Sequence, residues 1–448
     1  MGVNIFEIKR SGPRNYAHFD KRLGLLEVAR FISNPENVVR HGFYPFIYYE
    51  KVIYKYNKEE GVKPKVRPIC YAAHMDRCIY QYYSKMLNDA YNEQVKKSEI
   101  DECAIAYRTS KSLSNINFSK EVFDFIKSTS KAAIIVGDFK GFFDNLDHKY
   151  LKEQLCKLLS ADKLSEDMYA VFKSMTKFSK CKLEDILHFR GLKKTNSSIK
   201  VLNSRDSVMS VEEFRIFKKN HLIKNDNDYG IPQGSSLSGI FSNVYMMDFD
   251  LMMKALAFKN NGIYRRYSDD FIMVIPDGDV DESKLIVEQL KEIVSQIPKL
   301  TLEKDKTRIY IYDKESISDI TSKINPEVKE VKNIINYLGF SFDGKDVWIR
   351  DKTLGKYNGR MRRKVDGIER HNRMTRKNNR ISLDQLYEKY SKKGLRKGKS
   401  SGNFISYVRN AKRVYKDEKR IADVEKNHMR NIAKAIKQKK EKYAKDKM

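Results

Sequence analysis

Tyr267, Ser268, Asp269 and Asp270 place two adjacent carboxylates in a turn between Ile263-Tyr264-Arg265-Arg266 and Phe271-Ile272-Met273-Val274, both of which read as short strands. Neighbouring carboxylates repel, so a tight turn carrying two of them is unfavourable unless a divalent cation neutralises it. The tetrapeptide therefore points towards metal-assisted phosphoryl chemistry. Taken alone, it reads first as the exposed acidic tip of a hairpin. Other parts of the chain must decide.

A partner stands upstream. Ala132-Ala133-Ile134-Ile135-Val136 is a short buried-strand run that leads through Gly137 into Asp138, and a helical segment begins at Asp147. Asp138, Asp269 and Asp270 on neighbouring strands would suit two Mg²⁺ ions roughly 3.5 to 4 Å apart, one activating a hydroxyl and one stabilising leaving pyrophosphate. Between these acidic strands lies Tyr229-Gly230-Ile231-Pro232-Gln233-Gly234-Ser235-Ser236-Leu237-Ser238. Gly234 would let the backbone approach a base pair or sugar, and Gln233 can hydrogen-bond a nucleotide or template. By itself this stretch is also an ordinary helix-initiating loop.

With 448 residues, 41% of them hydrophobic, the chain can build two or three modules with real cores and is not a disordered polymer. A net charge of +29 favours a polyanionic partner, most simply nucleic acid. Much of it sits at the end: residues 351–448 hold 32 Lys or Arg against 11 Asp or Glu, an excess of 21. There is no apolar run of spanning length, and the first residues lack a signal-peptide core or a myristoylation serine, so a cytoplasmic protein with no membrane association is expected. Five cysteines lacking paired metal-ligand spacing read as plain thiols in a reducing compartment.

Residues 1–130 read as mixed and mostly helical, including an amphipathic stretch from Asp76 to Tyr91. Residues 181–228, with Asn196-Ser197-Ser198 and Asn225-Asp226-Asn227-Asp228, read as a loop-rich insertion. Gly230 to Phe342 alternates helices and strands in an α+β pattern. The basic end reads as helical, with disorder from about Lys434 as the alternative.

Taken in order, these motifs resemble those of a reverse transcriptase. Asp138-Phe139-Lys140-Gly141-Phe142-Phe143-Asp144-Asn145-Leu146-Asp147-His148 is similar to the first catalytic motif of bacterial members, Pro232-Gln233-Gly234 with Leu237-Ser238 to the second, and Tyr267 to Asp270 to the third. Leu302 with Lys306-Thr307, Tyr337-Leu338-Gly339-Phe340 and, upstream, Lys65-Val66-Arg67-Pro68-Ile69 with Asp76-Arg77 and Gln81 resemble further motifs, from about residue 60 to 345.

The resemblance implies a right-hand polymerase: fingers and N-terminal region over 1–130, a palm with an antiparallel sheet over 131–345 interrupted by the 181–228 insertion, and a basic helical thumb over 346–448. It implies that Asp138, Asp269 and Asp270 bind two Mg²⁺ ions, with Mn²⁺ as the alternative. Phe143 would exclude a ribose 2′-hydroxyl, Lys65 and Arg67 would neutralise the triphosphate, Tyr267 would support the primer end, and Lys306 would protonate pyrophosphate. Asp144 and His148 are expected to shape a helix start.

Ala106-Tyr107-Arg108 followed by Lys111-Ser112 looks like the abortive-infection and defence-associated group. That likeness implies cDNA synthesis from a structured non-coding RNA with dNTPs in anti-phage defence, as monomer or homo-oligomer. It also raises protein priming by Tyr387, Tyr390, Tyr407, Tyr415 or Tyr443, against packing or base stacking. Rival readings are a group II intron-like mobile-element reverse transcriptase with maturase function and a non-catalytic RNA-binding scaffold.

Overall fold

The computed structural model describes residues 3–8, 12–57, 61–108, 111, 113–375, 380–394 and 402–445, which leaves Ser112 outside the described residues. Its strands are β1 (Phe46–Asn57), β2 (Gly61–Tyr71), β3 (Lys131–Asp138), β4 (Ser179–Lys182), β5 (Ile223–Lys224), β6 (Ile263–Tyr267), β7 (Asp270–Pro276), β8 (Arg308–Asp313), β9 (Ser316–Asp319), β10 (Ile335–Tyr337), β11 (Phe340–Phe342) and β12 (Val347–Ile349). They form a five-stranded antiparallel sheet in the order β6-β7-β3-β8-β9, a four-stranded sheet β2-β1-β4-β5, and a three-stranded sheet β10-β11-β12. The mixed helix-and-sheet class expected from the sequence is what the chain adopts.

β3 is central, and both of its faces are covered. Ala133 and Ile135 point into a core shared with Leu237, Ile240, Phe241 and the helix His74–Lys97. Ala132 and Ile134 point into a second core with Val122, Phe123 and Ile126 of the helix Asn115–Ser128, and with Phe340 and Phe342. Burial on both sides explains an uninterrupted apolar run where a half-exposed strand would alternate. β6 is an edge strand, and residues 103–105 close it: Arg266 N donates to the Cys103 carbonyl (2.7 Å) and Ile105 N to the Arg266 carbonyl (3.0 Å).

The N-terminal region is mixed, with more helix than strand: the helices Ala29–Ile32, Pro35–Arg40, His74–Lys97 and Asn115–Ser128 stand beside the β1–β2 hairpin, which pairs from Ile47↔Tyr71 to Asn57↔Gly61. Residues 181–228, in contrast, are not loop-rich. They contain the helices Leu183–Phe189, Asn196–Leu202 and Val211–His221, packed on a core of Ile186, Leu187, Leu202 and Phe217. Asn196-Ser197-Ser198 is a helix start, where the Thr195 side chain accepts from Ser198 N, and Ser210 and Glu213 form a capping box at the next helix; Asn225-Asp226-Asn227-Asp228 stays a loop.

The described residues of the basic end, 351–375, 380–394 and 402–445, form helices and their connections. Tyr357, Met361, Val365 and Ile368 make one stripe of the helix Asp351–Met374, and Ile432, Ala435 and Ile436 of the helix Lys419–Lys445 pack against it. Disorder from Lys434 is thus not what the chain adopts over 434–445. The five cysteines are free. Among the described residues no helix is long and apolar enough to cross a membrane.

Candidate active site

β3 runs antiparallel to β7 so that Asp138, its last residue, lies opposite Asp270, the first residue of β7. Asp269 belongs to the turn, where Ser268 adopts φ +63° and Phe139 N reaches the Asp269 carbonyl at 3.3 Å. The order of strands, rather than sequence proximity, therefore brings the three carboxylates together. A further turn closes from the other side: Glu303 N donates to the Asp138 carbonyl (2.7 Å), and Lys306 Nζ sits 2.6 Å from Asp138 Oδ1. Burial, then the charge of Asp269, then that of Asp138, pushes the Asp270 carboxyl up to about 7. Burial and Asp138 raise that of Asp269 as well. Such mutual repulsion is what a bound cation would relieve.

Among the described residues no group of three or more His, Cys, Asp or Glu is disposed as a ready-made metal cage. The donor set still fits magnesium. That ion keeps several waters and takes one or two carboxylates together with substrate phosphates, and carboxylates already strained by like charge are suitable donors.

Asp138, Asp270 and Lys306 line a cavity of about 530 Å³ whose other walls include Lys65 and Arg67 of β2 together with Arg308, Lys332, Arg350, Lys352 and Lys356. β1–β2 pairing sets Lys65 opposite Ile53, which also lines the cavity, and Arg67 opposite Lys51. A space of this size lined by a few acids and many cations suits a polyanionic small molecule.

Phe143, Gln233, Gly234, Tyr267 and Asp269 are not among its lining residues. Phe143 lies in the 3₁₀ turn Phe142–Asp144, its ring 5.4 Å from that of buried Phe142, and its carbonyl accepts from Ile231 N (2.9 Å). This ties the first motif to the loop preceding Gln233. His148 continues the tie, its Nε2 2.8 Å from the Gly230 carbonyl. The helix start belongs to Asp147, whose side chain accepts from Tyr150 N, so Asp144 does not shape it. Asp144 instead faces Gln233 Nε2 at 3.4 and 3.5 Å.

Gly234 serves a closer purpose than the sequence suggests. Its φ is +124°, and a Cβ there would meet the Cys70 carbonyl oxygen at 2.2 Å, while Cys70 N donates to the Gln233 carbonyl (2.9 Å). The tight approach seen here is to the chain's own strand β2. Tyr267 pairs with Asp270 across the hairpin.

Sequence reasoning missed the groups that hold this turn. Tyr107 Oη lies 3.1 Å from Ser268 Oγ, and Arg266 Nη1 donates to the Ser268 carbonyl at 2.9 Å. An arginine in a strand reads as solvent-facing, and nothing local in the sequence signals otherwise.

A family model for reverse transcriptase (RNA-dependent DNA polymerase) matches residues 56–342. The chain belongs to the reverse transcriptase family. The match begins in β1 and ends at the last residue of β11, so it takes in all three carboxylates, Lys65, Arg67 and Lys306.

Similar solved structures include apo telomerase from Candida tropicalis truncated from its C-terminal domain, with 15% identity and a TM-score of 0.40 over 68% of this chain and 55% of that one. Telomerase from Candida albicans in complex with a TWJ fragment of telomeric RNA has 14% identity and a TM-score of 0.39 over 92% and 67%. The corresponding Candida tropicalis complex has 15% identity and a TM-score of 0.41 over 91% and 58%. The chain thus spans little more than half of the first of these telomerase chains. No curated protein matches it.

Proposed function

We propose that this reverse transcriptase-family chain is an RNA-directed DNA polymerase that extends a primer by nucleotidyl transfer at Asp138, Asp269 and Asp270. The observation that carries the reading is the Asp138–Asp270 pairing in the wall of a cation-lined cavity that also takes in Lys306, Lys65 and Arg67. Two Mg²⁺ ions held by the three carboxylates would lower the pKa of the attacking hydroxyl and neutralise charge on the leaving group.

The protein's own groups do the rest. Lys65 and Arg67 neutralise and orient the triphosphate. Lys306, already within reach of Asp138, donates a proton to departing pyrophosphate. Phe143 restricts the sugar, Gln233 contacts the nucleotide, Gly234 lets that loop seat on β2, and Tyr267 supports the primer terminus. In this reading residues 1–130 act as fingers, 131–345 as palm and the remainder as a basic thumb. Purified protein should extend a primed RNA template with dNTPs and Mg²⁺, and Asp269→Ala with Asp270→Ala should abolish extension. Continued synthesis by that double variant would overturn the assignment.

The template we propose is a structured non-coding RNA, held by the basic C-terminal surface through phosphate contacts. A cytoplasmic role in anti-phage defence is supported by the Ala106-Tyr107-Arg108 resemblance alone. It requires that cells carrying the gene resist infection and that the Asp269→Ala, Asp270→Ala variant not protect them. Packing, rather than priming, is favoured for the tail tyrosines: Tyr415 Oη donates to Ser119 (2.8 Å), Tyr443 Oη to Asp366 (3.1 Å), and the Tyr407 hydroxyl accepts from Asn115 Nδ2 (3.1 Å).

A further inference from the structure

The turn that presents Asp269 and Asp270 is anchored from below by a buried ion pair. Arg266 and Asp250 are both 0% exposed, and the guanidinium forks onto the carboxylate with Nε at 2.8 Å and Nη2 at 2.6 Å. Asp250 lies in the helix Met247–Lys259, sixteen residues upstream, and also accepts from Tyr264 Oη at 2.8 Å. The remaining arginine nitrogen, Nη1, donates to the Ser268 carbonyl at 2.9 Å and lies 3.4 Å from Asn243 Oδ1. Ser268 is the residue forced to φ +63°, immediately before Asp269. Above the turn, its hydroxyl meets that of Tyr107, which itself sits at φ +61° and packs over Gly239 so closely that a Cβ there would lie 2.8 Å from the ring. Asn243 completes the frame by donating Nδ2 to the Ala106 carbonyl at 2.9 Å.

A buried arginine–carboxylate pair is a poor source of stability, since desolvation consumes most of the attraction. A planar fork is, however, a good source of orientation. Here the same guanidinium is fixed on one side by Asp250 and spends its free nitrogen on the strained peptide that aims two carboxylates. Arg266 touches no reacting atom. We infer that Arg266, locked by Asp250, is a positioning residue that holds the Ser268 peptide in its left-handed conformation and thereby sets the geometry in which Asp269 and Asp270 receive metal. The inference rests on the polymerase reading above and adds to it a group outside the cavity.

The test uses the full chain. Arg266→Lys keeps the charge but cannot span Asp250 and the Ser268 carbonyl together. Asp250→Asn with Arg266→Gln removes both charges, avoids an unpaired buried ion, and guards against a simple failure to fold. For each, thermal denaturation checks folding, primer extension gives kcat and the dNTP KM, and Mn²⁺ titration followed by electron paramagnetic resonance reads metal binding without turnover. The expected result is folded protein with kcat down on the order of 100-fold, as for a displacement of about 1 Å, nearly unchanged KM, and Mn²⁺ binding weakened about tenfold or more.

Folded variants with wild-type kcat and Mn²⁺ affinity would overturn the positioning role. So would loss of activity traceable wholly to unfolding in both variants. If instead the wild-type protein neither extends a primer nor binds Mn²⁺ in a manner sensitive to Asp269→Asn, the polymerase reading itself fails, and that result is separate from any behaviour of Arg266.

Discussion

Burial and the charges of Asp269 and Asp138 push the Asp270 carboxyl up to about 7, whereas in an unfolded chain it would ionise near the ordinary aspartate value of about 3.8. Between these limits the native state binds the extra proton, so metal-free protein loses stability as pH rises from about 4 to about 7. Asp270→Asn, which mimics the protonated form, should therefore melt higher than wild type at pH 8 without metal and nearly equal to it at pH 4. Melting curves in chelator at the two pH values provide the check. Phe143 makes a different kind of prediction. Its ring is held by Phe142 and its backbone by Ile231, so Phe143→Ala should leave the fold intact and raise ribonucleotide use relative to deoxynucleotide on the order of tenfold. Competitive incorporation assays measure that ratio.

The acids were legible because their chemistry is written in adjacent letters and short strands. Arg266 was not, because its meaning depends on which face of β6 is buried and on an aspartate in another element. Gly234 was half legible: a close backbone approach was foreseen, but the Cys70 carbonyl that it meets is 164 positions away in the chain.

At the level of elements, periodicity served well wherever burial was simple. β3 and β7 were legible as apolar runs, and the helix His74–Lys97 as an amphipathic stretch, because each is defined by what it packs against over its whole length. The β1–β2 hairpin escaped because much of it is exposed, with Val52, Tyr54 and Val66 facing solvent and lysines between them, so no clean alternation appears. The insertion escaped because its helices are short and begin with the very residues that also make turns.

The C-terminal helices give a prediction proper to this scale. Ile432 is fully buried among Tyr357, Met361 and Val365, so Ile432→Ala should cost about 2–5 kcal/mol. The loss should appear as faster hydrogen exchange across the helices Asp351–Met374 and Lys419–Lys445, with β3 and β7 unchanged.

Across the whole molecule, charge is distributed unequally. Most of the +29 lies beyond residue 350, where Arg360, Arg363 and Arg370 stand exposed on a helix that also lends Lys352 and Lys356 to the cavity lined by Asp138 and Asp270. Nucleic-acid binding through such a surface should weaken steeply with salt. Arg363→Gln with Arg370→Gln should reduce the slope of log affinity against log salt by about one per residue, uniformly across sequences. Fluorescence anisotropy over a salt series tests this, and an unchanged slope would remove these arginines from the interface.

The seam at Cys70 and Gly234 has a mechanical meaning as well. β2 carries Lys65 and Arg67 a few residues from the point where its backbone is hydrogen-bonded to Gln233 and pressed against Gly234. A single backbone seam therefore ties the strand that carries two cations of the cavity wall to the loop that carries Gln233, so neither element can shift without breaking the Cys70–Gln233 hydrogen bond or opening the Gly234 contact.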